Sequence, residues 1–318
     1  MKKYLIIGGA GFIGSNFVEK LLDSGNYVVA LDNLCSGNKE FLENFLKNPN
    51  FHFIEDEIVN WQKYEQLFSK IDVLIHLASN ADIAAAIDDP TIDFYNGTLL
   101  TQQVAELART CKIPKLLYAS GSGVYGDQGK IKLNEADSLL RPISPYGASK
   151  LGGEAILASY SYLFKIKIYC FRFANVVGKN QTHGVGLDFI RNLLADSSKL
   201  RILGDGNQSK SYIHIDDLMN AVLLVSDLST VQFDVYNVSN DDQVSVKEIA
   251  SLSLKTMNLD EQSVRFEFGS TDRGWAGDVP IVILDSDKLM KLGWRYRWNS
   301  KQAMGLALES IWHELKSH

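Results

Sequence analysis

A glycine-rich turn near the start of the chain constrains the fold more than any other feature. Residues 4–7 form a short apolar run, typical of a buried parallel strand, that ends at two glycines. Gly9, Gly11 and Gly14 satisfy the G-x-G-x-x-G pattern, and Gly8, Gly11 and Gly14 the wider G-x-x-G-x-x-G. Glycine permits positive φ and places no Cβ between a backbone amide and a phosphate. The turn therefore predicts a strand–loop–helix unit that binds a pyrophosphate at the helix N-terminus.

The residues after this turn extend the dinucleotide-binding pattern. A predicted helix over residues 12–24 leads to a second apolar run, residues 27–31, which ends in Asp32. This acid lies roughly 20 residues past the glycines, where a carboxylate binds the ribose diol of adenosine. A carboxylate there would repel a 2′-phosphate, so the pattern predicts NAD as the cofactor and disfavours NADP.

Alternating apolar runs and helical periodicity continue through the first half of the chain. They predict strands at 51–54, 73–77, 115–119 and 166–173, and helices at 91–110 and 145–164. This alternation predicts an α/β fold, a Rossmann-type doubly wound parallel sheet that binds ligand at the carboxyl ends of its strands. Loops become frequent after about residue 177. We therefore expect a NAD-binding domain over 1–176 and a smaller, fused substrate-binding lobe over 177–318, with some later segments returning to the first domain.

Composition and charge narrow the class of protein. The chain has 318 residues, a net charge of −6 and no run of Lys or Arg, which argues against a nucleic-acid partner. No apolar run approaches the ~18–20 residues of a membrane span, and the first strand leaves no room for a signal peptide. Three scattered cysteines, Cys35, Cys111 and Cys170, predict neither a disulfide framework nor a metal cluster. Together these features lead us to expect a cytoplasmic protein without a metal.

A second chemical feature lies on the predicted helix 145–164. Tyr146 and Lys150 are spaced by four residues and so share a helix face. A tyrosine with an ordinary pKa near ~10 is a poor base at neutral pH, but a nearby ammonium stabilises the phenolate. Because such pairs are also common on exposed helices, the spacing alone does not define a site.

Taken together, these features resemble a known family. The glycine turn, Asp32, the Ser-Gly-Ser-Gly-Val-Tyr-Gly stretch at 120–126 and the Tyr146/Lys150 pair are similar to those of extended short-chain dehydrogenases/reductases of the sugar-nucleotide epimerase/dehydratase type. Among these, the chain looks most like the short microbial UDP-galactose 4-epimerases, over nearly its whole length. The resemblance implies a homodimer formed through the helices at 91–110 and 145–164.

The resemblance also implies roles for individual residues. Cofactor contacts fall on Gly8, Gly11, Phe12 and Ile13 at the pyrophosphate, Asp32 and Asn33 at the adenosine ribose, Glu57 and Ile58 at adenine, and Leu77, Ala78 and Ser79 near nicotinamide. Glu57 stands where the family has Asp, and the adjacent Asp56 is a possible substitute. Tyr146 is the implied base and acid, and Lys150 holds the nicotinamide ribose and tunes the tyrosine. The implied nucleotide-sugar contacts are Asn175, Lys210, Arg273 and Asp278.

Two positions depart from the family pattern. The catalytic Ser/Thr of the family falls on Gly121, between Ser120 and Ser122. Ser122 is the favoured replacement and Ser120 the fallback, although both could simply cap the strand–loop junction. The family's Asn in the helix at 91–110 falls on Gly97, beside Asn96.

These observations favour C4 epimerisation of a UDP-hexose with tightly held NAD. A 4,6-dehydratase of this type carries an Asp-Glu pair where this chain has Ser122 and Gly123, and a related decarboxylase also needs a Glu. A ketoreductase would usually use NADPH, against Asp32. A C2 epimerase, an epimerase of another sugar and a non-catalytic NAD-sensing protein remain open alternatives.

Overall fold

A parallel sheet of seven strands forms the centre of the protein. The computed structural model describes residues 1–136, 139–270, 279 and 281–316. The strands are β1 (Lys3–Ile7), β2 (Tyr27–Asp32), β3 (Phe51–Glu55), β4 (Val73–His76), β5 (Lys115–Ala119), β6 (Lys167–Phe173) and β7 (Phe233–Val238). Their spatial order is β7-β6-β5-β4-β1-β2-β3, and every pairing is parallel. This confirms the predicted α/β, doubly wound fold.

Helices cover both faces of this sheet and build the second lobe. The longer ones are α1 (Phe12–Asp23), α2 (Leu100–Thr110), α3 (Pro145–Phe164), α4 (Val185–Ala195), α5 (Ile215–Leu228), α6 (Val246–Thr256) and α7 (Ser300–Lys316). Short helices occupy Glu65–Phe68 and Asp287–Lys291, and 3₁₀ turns occupy Lys39–Phe45, Ile58–Tyr64, Ile83–Ile87, Ser122–Tyr125 and Glu261–Ser263. Short strands lie at Lys132–Leu133, Asn175–Val177, Lys199–Ile202, Ser209–Lys210, Tyr212–His214, Val244–Ser245, Arg265–Phe268 and Ile283–Leu284.

The strand order places the ligand-binding edge. From β1 the chain moves outward through β2 and β3, then returns to β4 on the other side of β1 and continues through β5 to β7. The loops after β1 and β4 therefore leave the sheet in opposite directions and open a crevice between them. In doubly wound sheets, ligands bind in such a crevice, at the carboxyl ends of the strands.

Side chains that alternate along the strands form two cores, one on each face of the sheet. On β1, Tyr4 and Ile6 pack into one cluster with residues of α1 and α5. Leu5 and Ile7 point the other way, into a cluster with residues of α2 and α3. Because both faces are covered, the strands read as continuous apolar runs, which explains their prediction from sequence.

The second lobe has a hydrophobic core of its own. It gathers α4, α6 and α7 around the parallel pair Lys199–Ile202 and Arg265–Phe268. The division along the chain is not a single cut, however. Strand β7 and helix α5 lie beyond residue 177, yet β7 pairs with β6 in the main sheet and α5 packs in its core.

The predicted helix at 91–110 differs most from the structure. It is interrupted by a π-helix, Phe94–Leu99, and the regular α-helix is Leu100–Thr110. Gly97 is buried in the π-helix, and a Cβ there would lie 2.5 Å from the Ser149 hydroxyl of α3. The close approach of two helices at Gly97 is a tertiary feature that helical periodicity does not report. Strand β4 also ends at His76, one residue before the predicted Leu77.

Neither a membrane-spanning helix nor a cluster of metal ligands occurs among the described residues. Of the helices in that part of the chain, none combines the length and apolarity that a transmembrane span needs. Within the same residues, no group of three or more His, Cys, Asp or Glu side chains is placed to hold a metal ion.

Candidate functional site

The glycine turn after β1 is held by contacts that leave no room for side chains. Gly8 has a φ of +86°, and a Cβ there would lie 2.8 Å from the backbone nitrogen of Ala78. A Cβ on Gly14 would lie 2.0 Å from the Gly8 carbonyl oxygen. At Gly11 the nearest such contact, to the same oxygen, is 3.4 Å. The turn is thus a closed backbone cradle in which Gly8 and Gly14 are sterically required.

Helix α1 begins at this cradle without a side-chain cap. Its N-cap residue is Gly11, which has no side chain to accept from the first amides. By contrast, Ser144 caps α3 through a 3.1 Å bond from the Gly147 amide, and Ser245 caps α6 in a capping box. The N-terminal amides of a helix have no partner within the helix and favour an anion. These amides, with Phe12 and Ile13 in the first turn, fit the pyrophosphate of a dinucleotide.

Asp32 lies at the carboxyl end of β2, beside the cradle. Its carboxylate accepts hydrogen bonds from the Ala10 and Leu34 amides, both at 2.9 Å, and the residue is 7% exposed. Burial raises the pKa of this carboxyl, while the two amide bonds oppose the rise. Each oxygen keeps a lone pair that a ribose hydroxyl can use. Gly37, which the sequence analysis missed, leaves space for this carboxylate. A Cβ at Gly37 would lie 2.8 Å from Asp32 Oδ1.

The predicted adenine contacts form a linked group after β3. Asn33 Nδ2 donates to Glu57 Oε1 at 3.1 Å, so the structure brings these two residues together. Asp56 instead accepts from the Glu57 amide and the side chains of Asn60, Lys63 and Tyr64, and these bonds hold its pKa well below the usual range. Asp56 thus holds the loop in place, whereas the Glu57 carboxylate is linked to Asn33. Ile58 is buried in the core.

The loop after β4 closes the cradle from the other side of the crevice. The Leu77 and Ala78 amides both donate to the Ile7 carbonyl, at 2.9 and 3.0 Å. These bonds bring Ala78 against Gly8 and leave Ser79 pointing away from the turn toward α3. Ser79 is near enough to Tyr146 to lower the pKa of its phenol. The three predicted nicotinamide-side residues therefore lie between the cradle and the Tyr146/Lys150 pair.

Tyr146 and Lys150 lie side by side on the first turns of α3. The Lys150 Nζ lies 5.4 Å from the Tyr146 ring centroid and 5.3 Å from that of Tyr118, and it donates to the Ala119 carbonyl at 2.8 Å. Burial lowers the pKa of Lys150 to about 8. Burial also raises the pKa of Tyr146, against the hydrogen bond from Ser79 that lowers it. The same buried surroundings therefore shift the pKa values of both groups, and a bound ligand would add to those surroundings.

The two candidate serines after β5 have different surroundings. Ser120 is 3% exposed, and its hydroxyl donates to Glu154 Oε1 at 2.5 Å. Ser122 is partly exposed at the first position of the turn Ser122–Tyr125. Between them, Gly121 has an extended backbone, and a Cβ built on it would meet only Tyr146 Cε1, at 4.0 Å. The position where the resembled family has its hydroxyl thus faces Tyr146 and is open.

A buried polar network holds this turn in place. Arg172 on β6 bonds Glu154 of α3 through two nitrogens, at 3.0 and 2.7 Å, and donates to the Tyr125 hydroxyl at 2.8 Å. Tyr125 in turn donates to Asn237 on β7, at 2.9 Å. Since Ser120 belongs to this network, its hydroxyl has a structural task, whereas Ser122 lies at the exposed start of the turn.

The predicted substrate contacts are partly described. Asn175 is exposed beyond the end of β6 and donates to the Ser211 carbonyl at 3.3 Å. It lies opposite Tyr212 in the paired strand, and Lys210 comes two residues before Tyr212, paired with Val244. Arg273 and Asp278 lie outside the described residues. His183, in the loop before α4, bonds Thr182 at 3.1 Å.

One polar residue next to the pair was missed by the sequence analysis. Asp93 is 1% exposed at the start of the π-helix, and its charge acts on both Tyr146 and Lys150. Neither candidate for the family's Asn is placed as Asp93 is. Gly97 packs on Ser149, and Asn96 is exposed. In the sequence, the burial of Asp93 is indicated only weakly, by the small residue Gly97 four positions later.

Comparisons with known proteins agree with this geometry. A family model described as NAD dependent epimerase/dehydratase family matches residues 4–239. A UDP-glucose 4-epimerase of Mycolicibacterium smegmatis is 35% identical over 68% of this chain and 71% of its own. A crystal structure of a UDP-galactose 4-epimerase is 34% identical, with a TM-score of 0.86 over 98% of this chain and 99% of its own. The Thermus thermophilus UDP-glucose 4-epimerase complex with NAD is 27% identical, with a TM-score of 0.84 over 97% and 98%.

Proposed function

The chain belongs to the NAD-dependent epimerase/dehydratase family, and from this premise we propose that it interconverts UDP-glucose and UDP-galactose by epimerisation at C4. The observation that carries the proposal is the Tyr146/Lys150 pair, placed between the dinucleotide cradle and the open space at Gly121. This placement is suited to one proton and one hydride leaving the same carbon of a sugar.

The protein's own groups would handle the proton. When bound, NAD supplies a hydride acceptor that can return the hydride to the same carbon. Tyr146 takes the proton of the 4-hydroxyl and later returns it, and the Lys150 ammonium stabilises the phenolate. Ser122 is proposed to donate a hydrogen bond to the reacting oxygen, in place of the hydroxyl missing at Gly121.

The sugar has to present both faces to the cofactor, so the nucleotide must stay anchored while the sugar turns. We propose that Asn175 and Lys210 hold the phosphates, with Arg273 and Asp278 completing the nucleotide pocket. A cationic nitrogen and an amide suit the phosphate oxygens. Gly8, Gly11, Phe12, Ile13, Asp32, Asn33 and Glu57 are proposed to hold NAD.

Dehydration of the sugar is disfavoured by the turn after β5. Removing water across C5 and C6 needs an additional acid and base at the reacting carbons. Ser122 and Gly123 stand where those groups would have to be, and neither side chain can exchange a proton at neutral pH. Ser122 and Gly123 therefore supply no acid that would compete with Tyr146 in a 4-epimerase.

Exposed apolar side chains support a homodimer. Large apolar residues of the π-helix and α3 remain exposed, namely Phe94, Tyr95, Leu99, Tyr162, Leu163 and Phe164. The π-helix and α2 pack against α3, so these side chains belong to one group of packed helices. Covering this surface with a second copy would remove it from water. We also propose a cytoplasmic location, because Cys35, Cys111 and Cys170 are free thiols.

A coupled assay on the purified protein without added cofactor tests the function. UDP-galactose is supplied, UDP-glucose is detected, and NAD is quantified after denaturation. We expect turnover to fall by roughly 10²–10⁴-fold in Tyr146→Phe. Tyr27→Phe, at the opposite edge of the sheet, is the matched control and should keep full turnover. No turnover by a protein that carries NAD would exclude this substrate pair.

A further inference from the structure

A buried tyrosine of strand β5, Tyr118, lies beside the Tyr146/Lys150 pair and has no part in the function proposed above. It is 1% exposed, and Lys150 Nζ lies over its ring, 5.3 Å from the centroid. The same nitrogen lies 5.4 Å from the Tyr146 ring centroid. Both distances are within the ~6 Å over which a ring face attracts a cation. The ammonium therefore lies near two aromatic rings, one in the core and one in the candidate site.

The ammonium of Lys150 has few other partners. Lys150 is 2% exposed, and its Nζ donates a hydrogen bond to the Ala119 carbonyl at 2.8 Å. An ammonium has three donors, and a buried charge is unfavourable unless its surroundings compensate it. No described carboxylate forms an ion pair with Lys150, and Glu154 of the same helix pairs with Arg172 at 2.7 Å. The Tyr118 ring therefore compensates part of this charge before any ligand binds.

The packing around Tyr118 holds its ring in one place. Gly153 lies inside α3, three residues after Lys150, where glycine weakens a helix. A Cβ at Gly153 would lie 2.4 Å from the Tyr118 hydroxyl oxygen and 2.9 Å from its Cζ. The ring also packs on that of His76 in β4, with centroids 5.3 Å apart. Glycine at position 153 thus lets α3 approach the ring, which brings Lys150 over it.

The ionisable groups on neighbouring elements do not replace the ring. His76 is buried, which lowers its pKa to about 3 and keeps it neutral. Burial raises the pKa of Tyr118 itself and of Cys170 on β6, so both stay protonated. The charge of Asp93, before the π-helix, favours the ammonium. A change at Tyr118 therefore alters the surroundings of Lys150 without changing a charge near it.

We propose that Tyr118 is a positioning residue, whose ring holds the Lys150 ammonium beside Tyr146 through a cation–π contact. The inference rests on the roles of Lys150 and Tyr146 in the function proposed above. A ring face attracts the charged form of lysine and has no such attraction for the neutral amine. Because the ring and the Ala119 carbonyl hold Nζ together, its remaining hydrogens can serve the phenolate and a bound ligand.

Three variants separate the ring from the space that it fills. Tyr118→Leu removes the ring and keeps an apolar side chain, whereas Tyr118→Phe keeps the ring and removes only the hydroxyl. Tyr169→Leu is the matched control, because Tyr169 is equally buried on the neighbouring strand β6. Its ring packs in the core on the other face of the sheet.

The ionisation of Lys150 is followed against pH by NMR of protein labelled with ¹³C at the lysine Cε, with Lys150→Met as the blank. This readout needs no substrate. We expect Lys150 in Tyr118→Leu to lose its proton at a pH lower by roughly one unit. At neutral pH, kcat should fall by roughly tenfold, while the KM for UDP-galactose changes by less than about threefold. Tyr118→Phe should match the wild type in all three quantities.

The outcomes that overturn the proposal are distinct. An unchanged Lys150 titration in Tyr118→Leu would show that the ring does not act on the ammonium. An equal shift in Tyr169→Leu would assign the effect to lost packing, and a Tyr118→Phe protein that behaves like Tyr118→Leu would assign it to the hydroxyl. Tyr118→Met, which fills more of the space, is used if the Leu variant does not fold.

The experiment also distinguishes this inference from the proposed function. If UDP-galactose is not turned over but the lysine titration moves in Tyr118→Leu, the function is wrong and the contact between Tyr118 and Lys150 stands. If turnover is present and the titration does not move, the function stands and the role of Tyr118 is wrong.

Discussion

Two glycine-containing turns, after β1 and after β5, lie at the carboxyl edge of the sheet, and they are held in different ways. In the turn after β1, the backbone itself requires glycine: Gly8 has positive φ, and Cβ atoms at Gly8 or Gly14 would overlap backbone atoms. In the turn after β5, Gly121 has an ordinary extended backbone and open space before it. Side chains hold the second turn instead, through Ser120, Glu154 and Arg172.

The comparison shows that two glycines of one site can have different structural roles. In the first turn, the missing Cβ is what lets the backbone close and approach a phosphate. In the second turn, glycine only removes the hydroxyl that the resembled family has at this position. The resemblance to the family identified Gly121 as a departure, but only the geometry shows that the departure leaves the turn intact.

The largest effect is expected from breaking the network of the second turn. Glu154→Ala leaves the Arg172 charge buried without its partner and frees the Ser120 hydroxyl, so unfolding free energy should fall by about 3–5 kcal/mol. Urea unfolding followed by circular dichroism measures it. Glu19→Ala, which removes an exposed pair with Lys179, is the control and should cost no more than about 1 kcal/mol. Equal losses in both would mean that the second turn does not depend on this network.

A smaller loss of stability is expected from a side chain in the first turn. Gly14→Ala should lower the free energy of unfolding by about 1–3 kcal/mol, because its Cβ must displace the Gly8 carbonyl. Gly11→Ala meets that oxygen only at 3.4 Å, so its stability should change by less than about 1 kcal/mol. The NAD content of the purified protein should still fall in Gly11→Ala, since the Cβ lies at the helix N-terminus. A Gly14→Ala protein as stable as Gly11→Ala would remove the steric argument.

The smallest structural effect is expected at Gly121. Gly121→Ser should leave stability unchanged or raise it by up to about 1 kcal/mol, because serine adopts an extended backbone without strain. Ser122→Ala should lower kcat by roughly tenfold, the loss of about one hydrogen bond. The double variant Gly121→Ser/Ser122→Ala should recover that loss, because its new hydroxyl faces Tyr146. No recovery would show that Ser122 acts elsewhere, and a stability loss in Gly121→Ser would end the contrast between the two turns.

Much of the fold could be predicted from local sequence. Helix α3 was predicted with the bounds that the structure has, since Pro145 is suited to the first helical position. The strands of the sheet were predicted to within a residue or two, except β7, which was not predicted at all. Strand β7 lies in the part of the chain where loops are frequent, and only its pairing with β6 assigns it to the main sheet.

The candidate site was predictable where its parts are close in sequence. The cradle is one turn, and Tyr146 and Lys150 are neighbours on one helix, so spacing alone brings them together. The choice between Ser120 and Ser122 was not predictable in this way, because it depends on Glu154 and Arg172, which are distant in sequence.

The sequence by itself determined the parallel α/β fold, the dinucleotide cradle and the tyrosine–lysine pair, because each follows from periodicity or from short spacing. Tertiary structure alone decided which polar groups face that pair. Asp93 is buried just before the π-helix, which packs on α3 at Gly97, and the space beside Gly121 opens toward Tyr146 of α3. Periodicity fixes the face that a residue takes on its own element, whereas packing between elements fixes what that face meets.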